Sequence, residues 1–139
     1  MRIIIDSNIL FSALIKDSLT RKIILEYEDR FLFPEFIFEE MEEHKVELRE
    51  KCALDDTSFD SLLTLILNKV TIVPNKSLTS FRDEALRLVK GIDEDDAIFV
   101  ACALAYNDSY IWLDDKRLKI VKKVRVLNTK EIMDILSVS

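Results

Sequence analysis

Apolar residues fall into two patterns along this chain. Short runs rich in β-branched or aromatic side chains occur at Arg2–Ile5, Phe31–Phe33, Val70–Val73, Tyr110–Leu113 and Val124–Leu127. Runs of this length predict strands buried on both faces. Between them the apolar positions recur at helical spacing. Ile9, Leu10, Ala13 and Leu14 share one face of a first helix, with Ser7 or Asn8 placed to cap it. A second helix is expected from Thr20 to about Glu28, started by Ser18 or Thr20. Pro34 is expected to stop the second strand and to sit near the start of a helix carrying Phe36, Ile37, Met41 and Leu48. Ser58 to about Lys69, Ser77–Lys90, Asp93–Tyr106 and Thr129–Leu136 complete the helices, with Gly91 closing the second of these.

Short buried strands alternating with helices predict a three-layer α/β/α fold around a mostly parallel, doubly wound sheet. Ligands of such sheets bind outside the carboxyl ends of the strands. Asp6 follows the first strand directly, and Asp114 and Asp115 follow the fourth. The pattern thus directs attention to acids.

Composition narrows the field. One glycine and two prolines in 139 residues leave no flexible linker, so a single domain over residues 1–139 is expected. No apolar run approaches the ~20 residues of a membrane helix. The opening MRIIIDSN is too short an apolar stretch for a signal peptide. Cys52 and Cys102 stand far apart without a CxxC, which suggests neither a disulfide framework nor zinc and makes a cytoplasmic location the expectation. His44 is the only histidine, which removes histidine-rich metal sites and most Ser–His or Cys–His triads. A net charge of −6 argues against sequence-indifferent coating of nucleic acid. It leaves room for a local cationic strip, and KRLKIVKKVR from Lys116 to Arg125 has six basic residues in ten.

Four groups of acids carry the candidate chemistry. Asp6 reads either as a turn or helix-capping residue or as a free carboxylate, the latter if Ser7 or Asn8 supplies the cap. Among Glu39, Glu40, Glu42 and Glu43, helical geometry puts Glu40 beside Phe36, Ile37 and His44 at the edge of the inward stripe, with Glu43 as its substitute. In Asp93-Glu94-Asp95-Asp96, acids of a first helical turn suit the helix dipole. Asp93 and Asp96 nonetheless share a face next to the buried stripe, whereas Asp95 is expected to project away. One of Asp114 and Asp115 is explained as a turn residue, leaving the other for a site.

Convergence of these acids has a physical consequence. Two carboxylates ~5 Å apart at an effective dielectric of ~20 repel by roughly 3 kcal/mol. Several together require protonation or a cation. Hard oxygen donors without nearby His or Cys select Mg²⁺ or Mn²⁺. Such an ion activates water and neutralises charge developing on a phosphodiester.

Taken in order, D-S-N after the first strand, E-E-M on an early helix, D-E-D-D-A before an apolar helix and W-L-D-D-K after a strand resemble the PIN-domain nucleases from Ile3 to about Leu136. The resemblance implies an Mg²⁺- or Mn²⁺-dependent ribonuclease acting on single-stranded RNA. It assigns the catalytic and metal-binding acids to Asp6, Glu40, Asp96 and Asp115, with Asp93 as an accessory ligand and Asn8 orienting the network. Lys116, Arg117 and Lys119 become candidates for holding the RNA backbone. Many small members are VapC-type toxins, so an antitoxin-like protein partner and a homodimer are expected. Leu113 and Asp114 depart from the family, which often has Ser or Thr and then a small polar residue there, so the choice between Asp114 and Asp115 stays open.

Two rivals remain. An inert PIN-like module would bind RNA or protein without cutting. A receiver-type phosphoacceptor domain would also cluster acids at strand ends, but it needs an acidic pair at the first strand and an Asp ending a middle strand. Here Pro74 follows Val70–Val73.

Overall fold

Ile3, Ile4 and Ile5 have no exposed surface, and the sheet is built outward from them. A computed structural model describes residues 1–15, 18–27 and 29–137. In chain order its elements are β1 (Arg2–Ile5), α1 (Ser7–Ile15), α2 (Leu19–Glu26), β2 (Phe31–Pro34), α3 (Ile37–Cys52), α4 (Asp56–Leu67), β3 (Val70–Val73), α5 (Asn75–Leu78), α6 (Arg82–Val89), α7 (Ala97–Ala105), β4 (Ser109–Trp112), β5 (Val126–Leu127) and α8 (Thr129–Ser137). The five strands form one sheet in the order β3-β2-β1-β4-β5, and every pairing is parallel. This is the doubly wound α/β/α architecture expected from the alternation of strands and helices. It is not the 2-1-3-4-5 order of receiver domains, so that rival falls at the level of topology.

The central strand is apolar on both faces because both faces are covered. On one side α1 packs with α2, α3 and α4; on the other α5, α6 and α7 pack together, with α7 lying across β1, β2 and β4. From β1 the chain winds one way through β2 to β3, then crosses over to lay β4 on the opposite edge of β1. The strand order therefore reverses between β1 and β4, where Ile5 is paired with Trp112. A crevice opens outside the carboxyl ends of strands at such a point.

Several elements depart from the sequence expectation. Pro34 belongs to β2 rather than stopping it; its missing N–H is harmless at the strand's last position, and Glu35 N–H continues the pairing by donating to Val73 O at 2.9 Å. Helix α4 starts earlier than Ser58 because Asp55 caps it, accepting from Ser58 N at 2.7 Å. Ser77–Lys90 does not form one helix. A 3-10 turn over Thr79–Phe81 separates α5 from α6, and the Thr79 hydroxyl turns back onto Asn75 O, competing with the backbone ladder. Gly91 follows α6 with φ +79°, the left-handed conformation a helix end favours. Helix α2 begins at the expected Ser18 cap, while Glu28, its expected last residue, lies outside the described residues. The final strand is confined to Val126 and Leu127.

Among the described residues no helix is long and apolar enough to cross a membrane. The packing of β1 has a measurable consequence. Ile4→Ala opens a cavity in the middle of the sheet and is expected to cost about 2–5 kcal/mol in urea unfolding. Val46→Ala, at a position 72% exposed, is expected to stay within about 0.5 kcal/mol. Equal effects would contradict the placement of the core.

Candidate active site

Asp6 sits at the end of β1, and only 3% of it is exposed. The backbone turns straight into α1, and this carboxylate takes the capping duty that Asp6, Ser7 and Asn8 could each have performed. Its Oδ1 accepts the Ile9 N–H at 2.9 Å, and its carbonyl accepts Leu10 N–H. Asp6 is thus itself the cap of α1, the first of the two readings its position allowed. Capping engages one oxygen and leaves the other directed by the same geometry.

Ser7, buried beside it, donates its hydroxyl to Glu40 Oε1 at 2.7 Å. This bond reaches from α1 to α3 and fixes the half-buried glutamate whose neighbour, Met41, anchors the helix in the core. Asn8 is exposed and lines the same cleft; its contribution to Asp6 comes from its backbone N–H. The side-chain hydrogen bond that orders the glutamate comes from Ser7, which the sequence had shown only as a possible cap.

The acids before α7 adopt a tighter geometry than expected. Asp93 is extended at φ −154° and accepts Asp95 N–H at 3.2 Å, and Glu94–Asp96 form a 3-10 turn ahead of Ala97. Three residues per turn rather than 3.6 rotates successive side chains differently. Asp95, expected to project away, therefore lines the cleft at its exposed rim, while Asp96 is half-buried and shares a hydrogen bond with Asp93.

Asp6, Asn8, Glu40, Glu43, Asp93 and Asp96 all line one cleft of about 390 Å³, walled by Phe36 and Phe99. Neither of the two acids after β4 is among the residues lining it, and each is held by its own partners. Asp114 accepts both the backbone N–H (2.8 Å) and the hydroxyl (3.0 Å) of Thr129, whose hydroxyl also receives Trp112 Nε1–H at 2.9 Å. This cluster locks the end of β4 to the start of α8. Asp115 accepts Arg117 N–H on Oδ1 at 2.9 Å and the guanidinium on Oδ2 at 2.9 and 2.6 Å. The same guanidinium reaches Asp93 Oδ2 at 2.9 Å.

Electrostatics divides the acids into two classes. Burial pushes the Asp6 carboxyl up to about 7, and the Asp96 and Asp114 carboxylates add to the rise, against the backbone N–H groups of Ile9 and Asn8. Asp96 is pushed up to about 6, first by burial and then by Asp93 and Asp115, with Arg117 opposing. Asp115 moves the other way, its carboxyl held below the usual range by the bonds from Arg117.

The cationic strip is largely consumed by pairing. Lys119 holds Glu131 at 2.6 Å, Lys123 contacts Glu84, and Arg125 stacks 4.2 Å from the Tyr110 ring and reaches Asp108 at 3.4 Å. Lys116 and Lys122 are exposed. The run Lys116–Arg125 is therefore not the open band of positive charge its composition suggested.

A family model described as the PIN domain matches residues 4–135. The chain belongs to the PIN-domain family. Comparison with curated proteins gave no match. Among solved structures, this PIN domain is similar to a chain of VapBC2 from Rickettsia felis, crystallised bound to a DNA fragment from their promoter. The TM-score is 0.67 over 92% of this chain and 98% of that one, at 14% identity. At that identity the likeness is one of fold.

The donor set of the PIN domain's cleft fits a divalent cation in its chemistry. Its ionisable donors are carboxylates, and Asp6 is buried within the field of Asp96, with no basic side chain bonded to it among the described residues. The arrangement is incomplete as it stands. Among the described residues no three metal-ligating side chains are placed to hold an ion together. Asp93 and Asp115 are turned onto Arg117 instead.

The raised carboxyls fix the sign of a pH dependence. Unfolded aspartates lose their protons near 3.8, whereas Asp96 and Asp6 keep theirs in the folded state to about 6 and 7. Across that window the folded state binds more protons, so its stability falls as pH rises and levels off above pH ~7. In EDTA, thermal melting is expected to fall between pH 5 and pH 8. Asn caps helices as well as Asp does, so Asp6→Asn should flatten that slope and melt roughly 5 °C above wild type at pH 8. A variant that melts lower at pH 8 would show that the charge is already compensated.

Proposed function

We propose that the protein is a metal-dependent endoribonuclease that hydrolyses phosphodiester bonds of single-stranded RNA in the acid cleft. The observation that carries this reading is the pairing of Asp6 and Asp96, two carboxyls pushed well above their ordinary range in an open cleft at the β1/β4 switch point. Membership of a family whose members are usually nucleases gives the reaction class. Bound Mg²⁺ or Mn²⁺ supplies water activation and neutralises charge developing on the phosphoryl oxygens.

Asp6, Asp96 and Asp115 hold the ion in this reading, with Asp93 as accessory. Glu40, oriented through Oε1 by Ser7, keeps Oε2 to ligate the ion or to accept a proton from the attacking water. Asp115 is preferred to Asp114 as the fourth acid because Asp114 is committed to the N–H and hydroxyl of Thr129, a pair of bonds harder to release than an exposed ion pair. Asn8, exposed at the mouth, faces the substrate side. Lys116, Arg117 and Lys119 contact the RNA backbone, Lys119 by exchanging Glu131 for a phosphate. The likeness in fold to a chain of VapBC2 favours a protein partner of antitoxin type; a homodimer acting in the cytoplasm completes the proposal.

The inert-module reading rests on a specific observation too: as folded, the cleft has no three ligating groups ready for an ion. Cleavage of end-labelled single-stranded RNA separates the two. With Mn²⁺ or Mg²⁺ in excess, wild type is expected to cut, and EDTA to abolish cutting. Asp6→Asn and Asp96→Asn are each expected to lower the rate by at least about 100-fold. RNA binding without cutting by the folded, metal-loaded protein would establish the inert module instead.

A further inference from the structure

The guanidinium of Arg117 is placed where it neutralises acids that the cleft would otherwise offer to a cation. Its Nη2 lies 2.6 Å from Asp115 Oδ2 and 2.9 Å from Asp93 Oδ2, and its Nε donates to Asp115 Oδ2 at 2.9 Å. The remaining oxygens of those two acids are engaged as well. Asp115 Oδ1 accepts Arg117 N–H, and Asp93 Oδ1 accepts Asp95 N–H. Both oxygens of each carboxylate therefore have a partner; the Arg117 side chain is 60% exposed and Asp115 37%, whereas Asp93 is 18% exposed and lies deeper in the cleft. On the deeper side, Asp6 and Asp96 form no ion pair among the described residues, although Arg117 acts on Asp96 through space.

We propose that Arg117 is a built-in, displaceable counterion: it holds Asp93 and Asp115 in the metal-free protein and must swing out before a divalent cation can take those acids. The inference rests on the reading of the cleft as a metal site and adds to it a regulation that the site's own residues impose. Three features support displacement rather than a permanent brace. Exposed ion pairs of this kind are individually weak and screened by salt. The arginine sits in a short 3-10 turn, Arg117–Ile120, anchored by the buried Leu118 rather than by its own side chain. A doubly charged ion among four carboxylates outcompetes a single, delocalised positive charge that reaches only two of them. Once displaced, the guanidinium stands beside the cleft as a free cation at the place where a phosphodiester would lie.

The consequence is competition, which is read by metal affinity without any nuclease assay. Mn²⁺ binding by calorimetry at fixed ionic strength is compared in wild type, Arg117→Gln, Arg117→Lys and Lys122→Ala. Lys122→Ala removes an equal charge from the same basic run without touching the acids. Arg117→Gln is expected to bind Mn²⁺ roughly tenfold more tightly than wild type, Arg117→Lys to fall between the two, and Lys122→Ala to change affinity by less than about twofold. In parallel, the Arg117 Nε–H resonance, sharpened by its bond to Asp115, should lose exchange protection when diamagnetic Mg²⁺ is added. Mn²⁺ binding to Arg117→Gln but not to wild type would support the proposal in its strongest form. Equal or weaker binding by a folded Arg117→Gln protein would overturn the counterion while leaving the metal site standing. Binding by none of the four proteins would overturn both.

Discussion

The constraint on which the site depends is the burial of carboxyls at the β1/β4 switch point, to which neighbouring like charges add. Asp6 cannot move away: its backbone ends the central strand, its Oδ1 caps α1, and the residues before it have no exposed surface. Asp96 cannot move far either, because the residue after it enters the most apolar helix of the protein, which lies across β1, β2 and β4. The hydrophobic core thus keeps both carboxyls partly out of water, Asp6 the more so. Proteins retain such frustration where function requires it.

Each neighbouring polar contact is a partial answer to that frustration. Backbone N–H groups of Ile9 and Asn8 support the Asp6 carboxylate. Ser7 orders Glu40 at the mouth, Thr129 takes Asp114 out of play, and Arg117 takes Asp93 and Asp115. What remains after these contacts is a surplus of negative charge around Asp6 and Asp96. A proton relieves it below neutral pH, and a divalent cation would relieve it at any pH. The same logic explains why the cationic strip is not an open band of charge: Arg117, Lys119, Lys123 and Arg125 are paired with acids of their own molecule.

Much of this was legible in the sequence because the strongest signals are periodic or positional. Triple isoleucine ending in Asp6 specifies a buried strand and an acid at its carboxyl end, and Tyr110–Leu113 before two aspartates specifies another. The parallel sheet follows from their alternation with helices. Less legible were features set by tertiary geometry. Whether Asp6, Ser7 or Asn8 caps α1 depends on how sharply the chain turns off the sheet, and the sequence permits all three. The inward turn of Asp95 depends on a 3-10 rather than an α geometry, a difference that four consecutive acids do not encode. The break between α5 and α6 hinges on a single threonine hydroxyl. Pairing of the basic run with Glu84, Asp108 and Glu131 joins residues far apart in sequence, and composition is blind to that.

The central claim is that Asp6 and Asp96 form a cation-seeking pair, and the most direct measurement is their own titration. Carboxyl-carbon NMR of the metal-free protein would follow each aspartate from pH 3 to pH 9 on the order of the range in which carboxylates titrate. The account predicts midpoints of about 7 for Asp6 and about 6 for Asp96, both falling to the ordinary aspartate range or below when Mg²⁺ is added. Ordinary midpoints for both in the metal-free protein, unmoved by Mg²⁺, would contradict it.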